Sequence, residues 1–107
     1  MAKNKFIFEQ TGITSDNKPV MSGCYQMYQT HGVPLDVIFS YLKDNGYVPD
    51  WIDIYKTARL NGVSHERVLS KLEPDIDDSF GPEWTKIVLE KLDLLFKTKQ
   101  KKEVYNA

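Results

Sequence analysis

The sequence predicts an all-α fold, a compact bundle of about five short helices. Apolar residues recur at spacings of three and four in five successive stretches, which is the pattern of amphipathic helices. Glycines followed within a few residues by proline or serine separate these stretches, and such residues end one helix and start the next. With 107 residues, 41% of them hydrophobic, the chain suits one domain. We predict an N-terminal arm over 1–15, a helical domain over 16–97 and a basic, frayed tail over 98–107.

The N-terminal arm is the least regular part of the predicted fold. Phe6-Ile7-Phe8 is typical of a short strand or of an apolar arm, and Thr11-Gly12 of a turn. The first helix is predicted from a cap at Asp16 or Asn17 to about Thr30. Pro19 then falls in its first turn, where a missing N–H costs little.

Three further helices follow between clear start and stop signals. They are predicted from Pro34 to Asn45-Gly46, from Pro49 to Asn61-Gly62, and from Ser64 to just before Pro74. Their apolar positions fall at helical spacing, so we expect them to face inward. The predicted inward residues are Leu35, Ile38, Phe39, Leu42, Trp51 or Ile52, Tyr55, Ala58, Val68, Leu69 and Leu72.

Acidic residues dominate 73–83, which predicts a solvated linker before the last helix. That helix is predicted to start near Pro82 and has the cleanest amphipathic pattern in the chain. The residues predicted to share its inner face are Trp84, Ile87, Val88, Lys91, Leu92 and Leu95.

The segment from Ile54 to Glu73 carries the one motif that points to a function. Ala58 is followed by Gly62 at a turn, and Val68 comes six residues after the glycine. A small residue lets two helices cross closely, and glycine supplies the positive φ of a sharp turn. This segment resembles the helix-turn-helix motif of bacterial and phage regulators. It departs from that motif at Thr57, Asn61 and Lys71, where the motif prefers apolar residues.

The resemblance implies that the second helix of the pair presents exposed side chains to a DNA major groove. Lys71 on that helix and Arg59 on the first helix of the pair would be available for phosphates. The residues it implies for DNA contact are Arg59, Ser64, His65, Arg67, Ser70 and Lys71. Structural packing and protein binding remain open as alternative roles for the same segment.

Composition argues against several other classes of function. A single cysteine forbids an intramolecular disulfide, and no apolar run approaches the roughly 20 residues that span a bilayer. We therefore expect a protein of the cytoplasm, or of the host cytoplasm if the gene is viral. The histidines are far apart, no set of metal ligands or of catalytic residues is recognisable, and no cofactor is expected.

The leading hypothesis is a small non-enzymatic regulator or adaptor, such as a phage-type accessory factor, that binds a protein partner. The alternative is a sequence-specific DNA-binding protein, and a small enzyme is a distant third. A homodimer remains open. Apolar side chains left exposed outside the core would mark the partner site, and we expect them among Phe6, Ile7, Phe8, Leu94 and Phe96.

Overall fold

A computed structural model describes the chain from Phe8 to Asn106 and its side chains as far as Thr98. This part of the chain folds into five helices and three short strands. In chain order they are β1 Glu9–Ile13, β2 Pro19–Ser22, α1 Cys24–His31, α2 Leu35–Asp44, β3 Val48–Pro49, α3 Trp51–Leu60, α4 His65–Phe80 and α5 Pro82–Asn106.

A small sheet corrects the prediction that the fold is purely helical. β1 and β2 pair antiparallel, and β2 pairs parallel with β3, so that the strand order is β1-β2-β3. Thr11-Gly12, predicted as a turn, lies within β1, where the register shifts by one residue. The turn occurs over residues 14–18 instead, and Asn17 takes a positive φ of 72° there. The molecule is therefore mostly helical with one small sheet.

The predicted first helix over 16–30 is wrong in its first half, which forms β2. Pro19 begins that strand, a position where proline's missing N–H is tolerated. Val20 aligns with Val48, about thirty residues away, and local periodicity carries no sign of this pairing. Gly23, with a φ of 99°, then turns the chain into α1.

Two aspartates at the start of α3 attach the sheet to the helices. Asp50 caps α3 by accepting from the backbone N–H of Asp53, at 3.1 Å. Its other carboxylate oxygen accepts from the Thr11 hydroxyl at 2.8 Å, and its own N–H donates to the carbonyl of Met21 at 2.8 Å. Asp53 accepts from the N–H of Gly23 at 3.0 Å. These bonds join β1, β2 and the start of α1 to one helix end.

The second and third helices lie within about two residues of their predicted bounds. α2 follows Pro34 and ends at Asp44, and the inward residues predicted for it are all buried. α3 begins at Trp51, because Pro49 belongs to β3. Trp51, rather than Ile52, is the buried member of the predicted pair.

The predicted acidic linker over 73–83 is wrong, because α4 continues through Pro74 to Phe80. Beyond Val68 and Leu72, the buried positions continue at Ile76 and Ser79, so the 3.6-residue period is unbroken across the proline. The acidic residues of this stretch lie on the opposite side of the helix or at its edge. Leu69, predicted to face inward, is only half-buried.

α5 begins at Pro82 as predicted, but its buried face is rotated from the predicted one. Val88 and Leu92 are buried, whereas Ile87 is 59% exposed and Lys91 is exposed. Packing against α4 selects the buried side of the helix. Within residues 8–106, the helices are too short or too polar to cross a membrane.

The core is centred on α2. Ile38, Phe39 and Leu42 have no exposed surface, and residues of α3, α4 and α5 pack around them. The rings of Phe39 and Trp51 meet edge to face with centroids 5.4 Å apart, a favoured aromatic geometry. This packing places the N-terminal half of α4 beside the end of α1, where the candidate site lies.

We predict that Pro74→Ala raises the free energy of unfolding by about 1–3 kcal/mol, because proline inside a helix removes a backbone hydrogen bond and crowds the preceding turn. The matched control is Pro82→Ala at the first position of α5, where we expect a change within about 0.5 kcal/mol. Urea denaturation followed by circular dichroism measures both. A loss of stability in Pro74→Ala would contradict the prediction.

Candidate functional site

The turn between α3 and α4 forms a compact corner built as the sequence indicates. Gly62 takes a φ of 88°, which only glycine adopts without strain. The N–H of Val63 donates to the carbonyl of Ala58 at 3.1 Å. The Ser64 side chain accepts from the N–H of Arg67 at 3.3 Å and so caps α4. The hydroxyl of Ser64 is therefore engaged in the cap.

An open groove of about 590 Å³ lies between this corner and α1. We call it the corner groove. One wall comes from the first half of α4, the floor from the corner, and the other wall from two tyrosines of α1. Its lining residues are Tyr25, Tyr28, Gly62, Val63, Arg67, Ser70 and Lys71.

The charge of the corner groove is positive. The ammonium of Lys71 lies 4.6 Å from the centroid of the Tyr28 ring, a cation–π distance that holds it over the groove. Arg67 is exposed on the preceding turn of the helix. Neither cation makes an ion pair with any residue that the structure describes. The groove thus presents two cations, a hydroxyl and aromatic surface.

His65 is buried, which corrects the expectation that its side chain is exposed on α4. It is 8% exposed and bonded at both ring nitrogens, to the Tyr55 hydroxyl at 2.8 Å through Nδ1 and to Asp93 at 3.0 Å through Nε2. An ionised carboxylate only accepts, so the neutral ring carries its proton on Nε2 and accepts the Tyr55 O–H at Nδ1. His65 joins α4 to α3 and α5.

Aromatic and cationic contacts extend this His65 network. The Phe96 ring stacks on the His65 ring with centroids 4.0 Å apart, and the Arg59 guanidinium lies 5.4 Å from the Phe96 centroid. Lys97 pairs with Asp93 at 3.1 Å. Arg59, another predicted DNA-contacting residue, therefore lies over the His65 network and outside the corner groove.

Of the six residues implied by the motif, the structure brings Arg67, Ser70 and Lys71 together in the corner groove. They are exposed on adjacent turns of α4. The other three cap the helix or belong to the His65 network. The groove is therefore smaller than the DNA-contacting surface that the resemblance implies.

The predicted apolar partner site is dispersed in the structure. Phe6 and Ile7 lie outside the described residues. Phe8 is half-buried against the core, and Phe96 is stacked in the His65 network. Leu94 is 66% exposed on α5. The described members of the set thus form no single patch.

Cys24 lies at the start of α1, next to the tyrosine wall of the corner groove. Cys24 is completely buried, and desolvation raises the pKa of its thiol to about 12, so it is not a nucleophile at neutral pH. Among the described residues, no cluster of histidine, cysteine, aspartate or glutamate could hold a metal ion. The corner groove can hold an anionic group on its cations and an apolar or planar group on its rings.

Sequence reasoning missed Tyr25, Tyr28 and Asp93. The spacing of the tyrosines places them in an apolar stripe, and Tyr25 is indeed buried for most of its surface. Asp93 lies 28 residues from His65, and no local pattern joins them. The sequence signal for Asp93 was only that a charged residue stands next to Leu92, an apolar position of α5.

We predict that Tyr55→Phe lowers the free energy of unfolding by about 1–3 kcal/mol, because it leaves the buried Nδ1 of His65 without a donor. Tyr47→Phe, which removes a hydroxyl from a half-buried tyrosine away from the His65 network, is the control. Chemical denaturation of both variants measures the difference. Equal effects would show that the Tyr55 hydroxyl is not specifically required.

The stabilisation that Asp93 provides should depend on pH. Hydrogen bonds from His65, and then from Lys97, hold the pKa of Asp93 below its usual value. A carboxyl with a lowered pKa in the folded state stabilises fully above its unfolded value of about 3.9, and that contribution is lost as pH falls through the folded value. Asp93→Asn should therefore be less stable than the native chain above about pH 5, and the difference should shrink below about pH 4.

Thermal melts of the native chain and Asp93→Asn at several pH values from about pH 2.5 to about pH 6 measure this difference. Glu90→Gln, on the preceding turn of α5 and exposed, is the control and should show no such pH-dependent gap. A gap for Asp93→Asn that is constant across the range would contradict the assignment.

Comparison with known proteins identifies no relative of this chain. The chain matches no protein-family model, and no curated protein and no solved structure is significantly similar to it. Function must therefore be argued from the corner groove and the His65 network themselves.

Proposed function

We propose that this chain is a non-enzymatic binding protein that holds an acidic segment of a protein partner in the corner groove. One observation carries this proposal. The corner groove combines aromatic side chains with two cations, and neither cation has an ion-pair partner among the described residues. Arg67 and Lys71 would bind carboxylates, and Tyr25 and Tyr28 would contact the apolar side chains between them. Tyrosine and arginine are also the residues that most often dominate the binding energy of interfaces.

The surroundings of the groove favour a short peptide segment over a long polyanion. Asp75 and Asp78 lie on the next turns of α4, so a phosphate backbone that followed the helix would meet negative charge. The chain's net charge of −1 also gives no general attraction for nucleic acid. An acidic segment of a few residues fits within the positive part of the surface.

We predict that Arg67→Glu and Lys71→Glu each weaken binding of acidic peptides by about tenfold or more, because each places a carboxylate where the ligand's charge would lie. The probes are fluorescein-labelled peptides in which glutamates alternate with leucines, with lysine-leucine peptides for comparison. Fluorescence anisotropy at low and raised salt measures the dissociation constants.

The matched control is Lys86→Glu, which makes the same charge change at an exposed position of α5 outside the groove. It should leave binding nearly unchanged. Equal losses in all three variants would mean that net charge alone governs binding, and would overturn the proposed site. Binding of the lysine peptides with equal affinity would do the same.

DNA binding is a second candidate function, favoured by one observation. The glycine turn and the serine cap orient α4 so that Arg67, Ser70 and Lys71 are exposed together. A mobility-shift assay with double-stranded DNA distinguishes the two functions. Retardation that is lost steeply with salt and with Arg67→Ala would favour DNA, whereas no retardation at low salt would exclude it.

A further inference from the structure

One side of α4 carries its charges in two blocks of opposite sign. Arg67 and Lys71 occupy the first half of this side, and Asp75 and Asp78 the second half. Successive positions are separated by four, four and three residues, so the four side chains follow one stripe along the helix. All are exposed except Asp75, which is half-buried. We call this the α4 stripe.

The order of charges along the α4 stripe does not suit the isolated helix. A helix favours negative charge near its N-terminus and positive charge near its C-terminus. Glu66 follows this rule in the first turn, but the stripe begins with Arg67, and the last turn contains no basic residue. Helix electrostatics therefore does not account for the stripe.

Within the chain, the negative block is crowded with like charge. Asp36, at the start of α2, faces it from the neighbouring helix. Burial and then the charge of Asp36 raise the pKa of Asp75, and Asp78 adds to this effect, while Lys71 partly opposes it. An additional cation near this block would relieve the repulsion.

The positive block lacks anionic partners. Arg67 and Lys71 make no ion pair with the part of the chain that the structure describes. Each block thus has the charge that the other needs, but the two lie along the same helix. Lys71 and Asp75 are one turn apart but form no ion pair in the described structure. Arg67 and Asp78 are 11 positions apart in the sequence, about 16 Å at the helical rise, which is too far for direct contact.

We propose that a second copy of this chain occupies the corner groove, with the two α4 helices antiparallel across a two-fold axis. Such an axis, passing between Leu72 and Glu73, sets Arg67 of each copy beside Asp78 of the other. It also brings Lys71 of each copy to the turn that holds Asp75 of the other. A two-fold interface uses one self-complementary patch on both copies, and the α4 stripe is self-complementary in charge.

This inference rests on the proposed function in one respect, namely that the corner groove binds acidic segments. The second half of α4 is itself such a segment. It adds a consequence. The second copy covers Arg67 and Lys71, so self-association and the binding of an acidic partner compete for the same surface. Raising the chain's concentration then lowers its apparent affinity for the partner.

Charge-swap variants of the full chain test the pairing by sedimentation equilibrium at low ionic strength. Arg67→Glu opposes two carboxylates at both ends of the interface, and Asp78→Arg opposes two guanidiniums. Each should weaken the dimer by about tenfold or more. The double variant Arg67→Glu/Asp78→Arg restores opposite charges at both ends and should dimerise like the native chain.

A mixture of the two single variants gives the sharpest result. In a mixed dimer the glutamate introduced at position 67 of one copy meets the arginine introduced at position 78 of the other. At the opposite end of the interface the native Arg67 meets the native Asp78. Two chains that are separately monomeric should therefore form a heterodimer when they are combined. Lys86→Glu and Glu90→Lys, on exposed α5 positions, are the matched controls and should not change self-association.

Several outcomes would overturn the dimer. The first is a native chain that stays monomeric up to millimolar concentration, and the second is single variants that associate like the native chain. The third is a failure of rescue, in which the single variants are monomeric and the double variant or the mixture is monomeric as well. Circular dichroism confirms that each variant is folded. Asp78→Arg retains both groove cations, so it should still bind the acidic peptides. Peptide binding by a monomeric native chain would leave the proposed function standing without the dimer.

Discussion

The burial of one continuous face of α4 is the constraint on which the rest of this structure depends. Val68, Leu72 and Ile76 are at most 2% exposed and pack into the core around α2. Fully burying a side chain of this size contributes about 1.5–3 kcal/mol. Ile76 and Phe80 lie beyond Pro74 and pack on this core, and their burial offsets the cost of about 3 kcal/mol for proline within a helix, so α4 continues through Pro74.

Continuity of α4 has a direct consequence for the surface. Because the helix does not end at Pro74, Asp75 and Asp78 lie on the same regular stripe as Arg67 and Lys71. A flexible linker would leave these carboxylates free to move in solvent. The helix instead holds them at defined distances from the corner groove, and this makes the charge pattern available for recognition.

The start of α4 is held by polar and aromatic contacts in addition to the apolar packing of Val68. His65 reaches Tyr55 on α3 and Asp93 on α5, and Phe96 covers its ring. A buried ring bonded at both nitrogens restricts how the three helices can be arranged. The network thereby holds α4, which forms one wall of the corner groove, against α3 and α5.

Local signals predicted the helical elements well where start, stop and period agree. The bounds of α2, the Ser64 cap and the first residue of α5 depend on side chains close in sequence, and each was predicted. Of the candidate site, Arg67, Ser70 and Lys71 could be identified because they occupy exposed positions of one helix. The tyrosine wall could not, because it belongs to a distant helix.

By itself, the sequence determined the helical character of the chain, its α3–α4 corner and the residues that face the core at its centre. Only the tertiary structure decided that Pro19–Ser22 is a strand, that residues 73–80 are helical and that His65 is buried. The physical reason is the same in each case. A strand requires a partner strand, a proline-containing helix requires an apolar surface to pack on, and a buried histidine requires polar partners. Here Val48, the core around α2 and Asp93 supply them from distant parts of the chain.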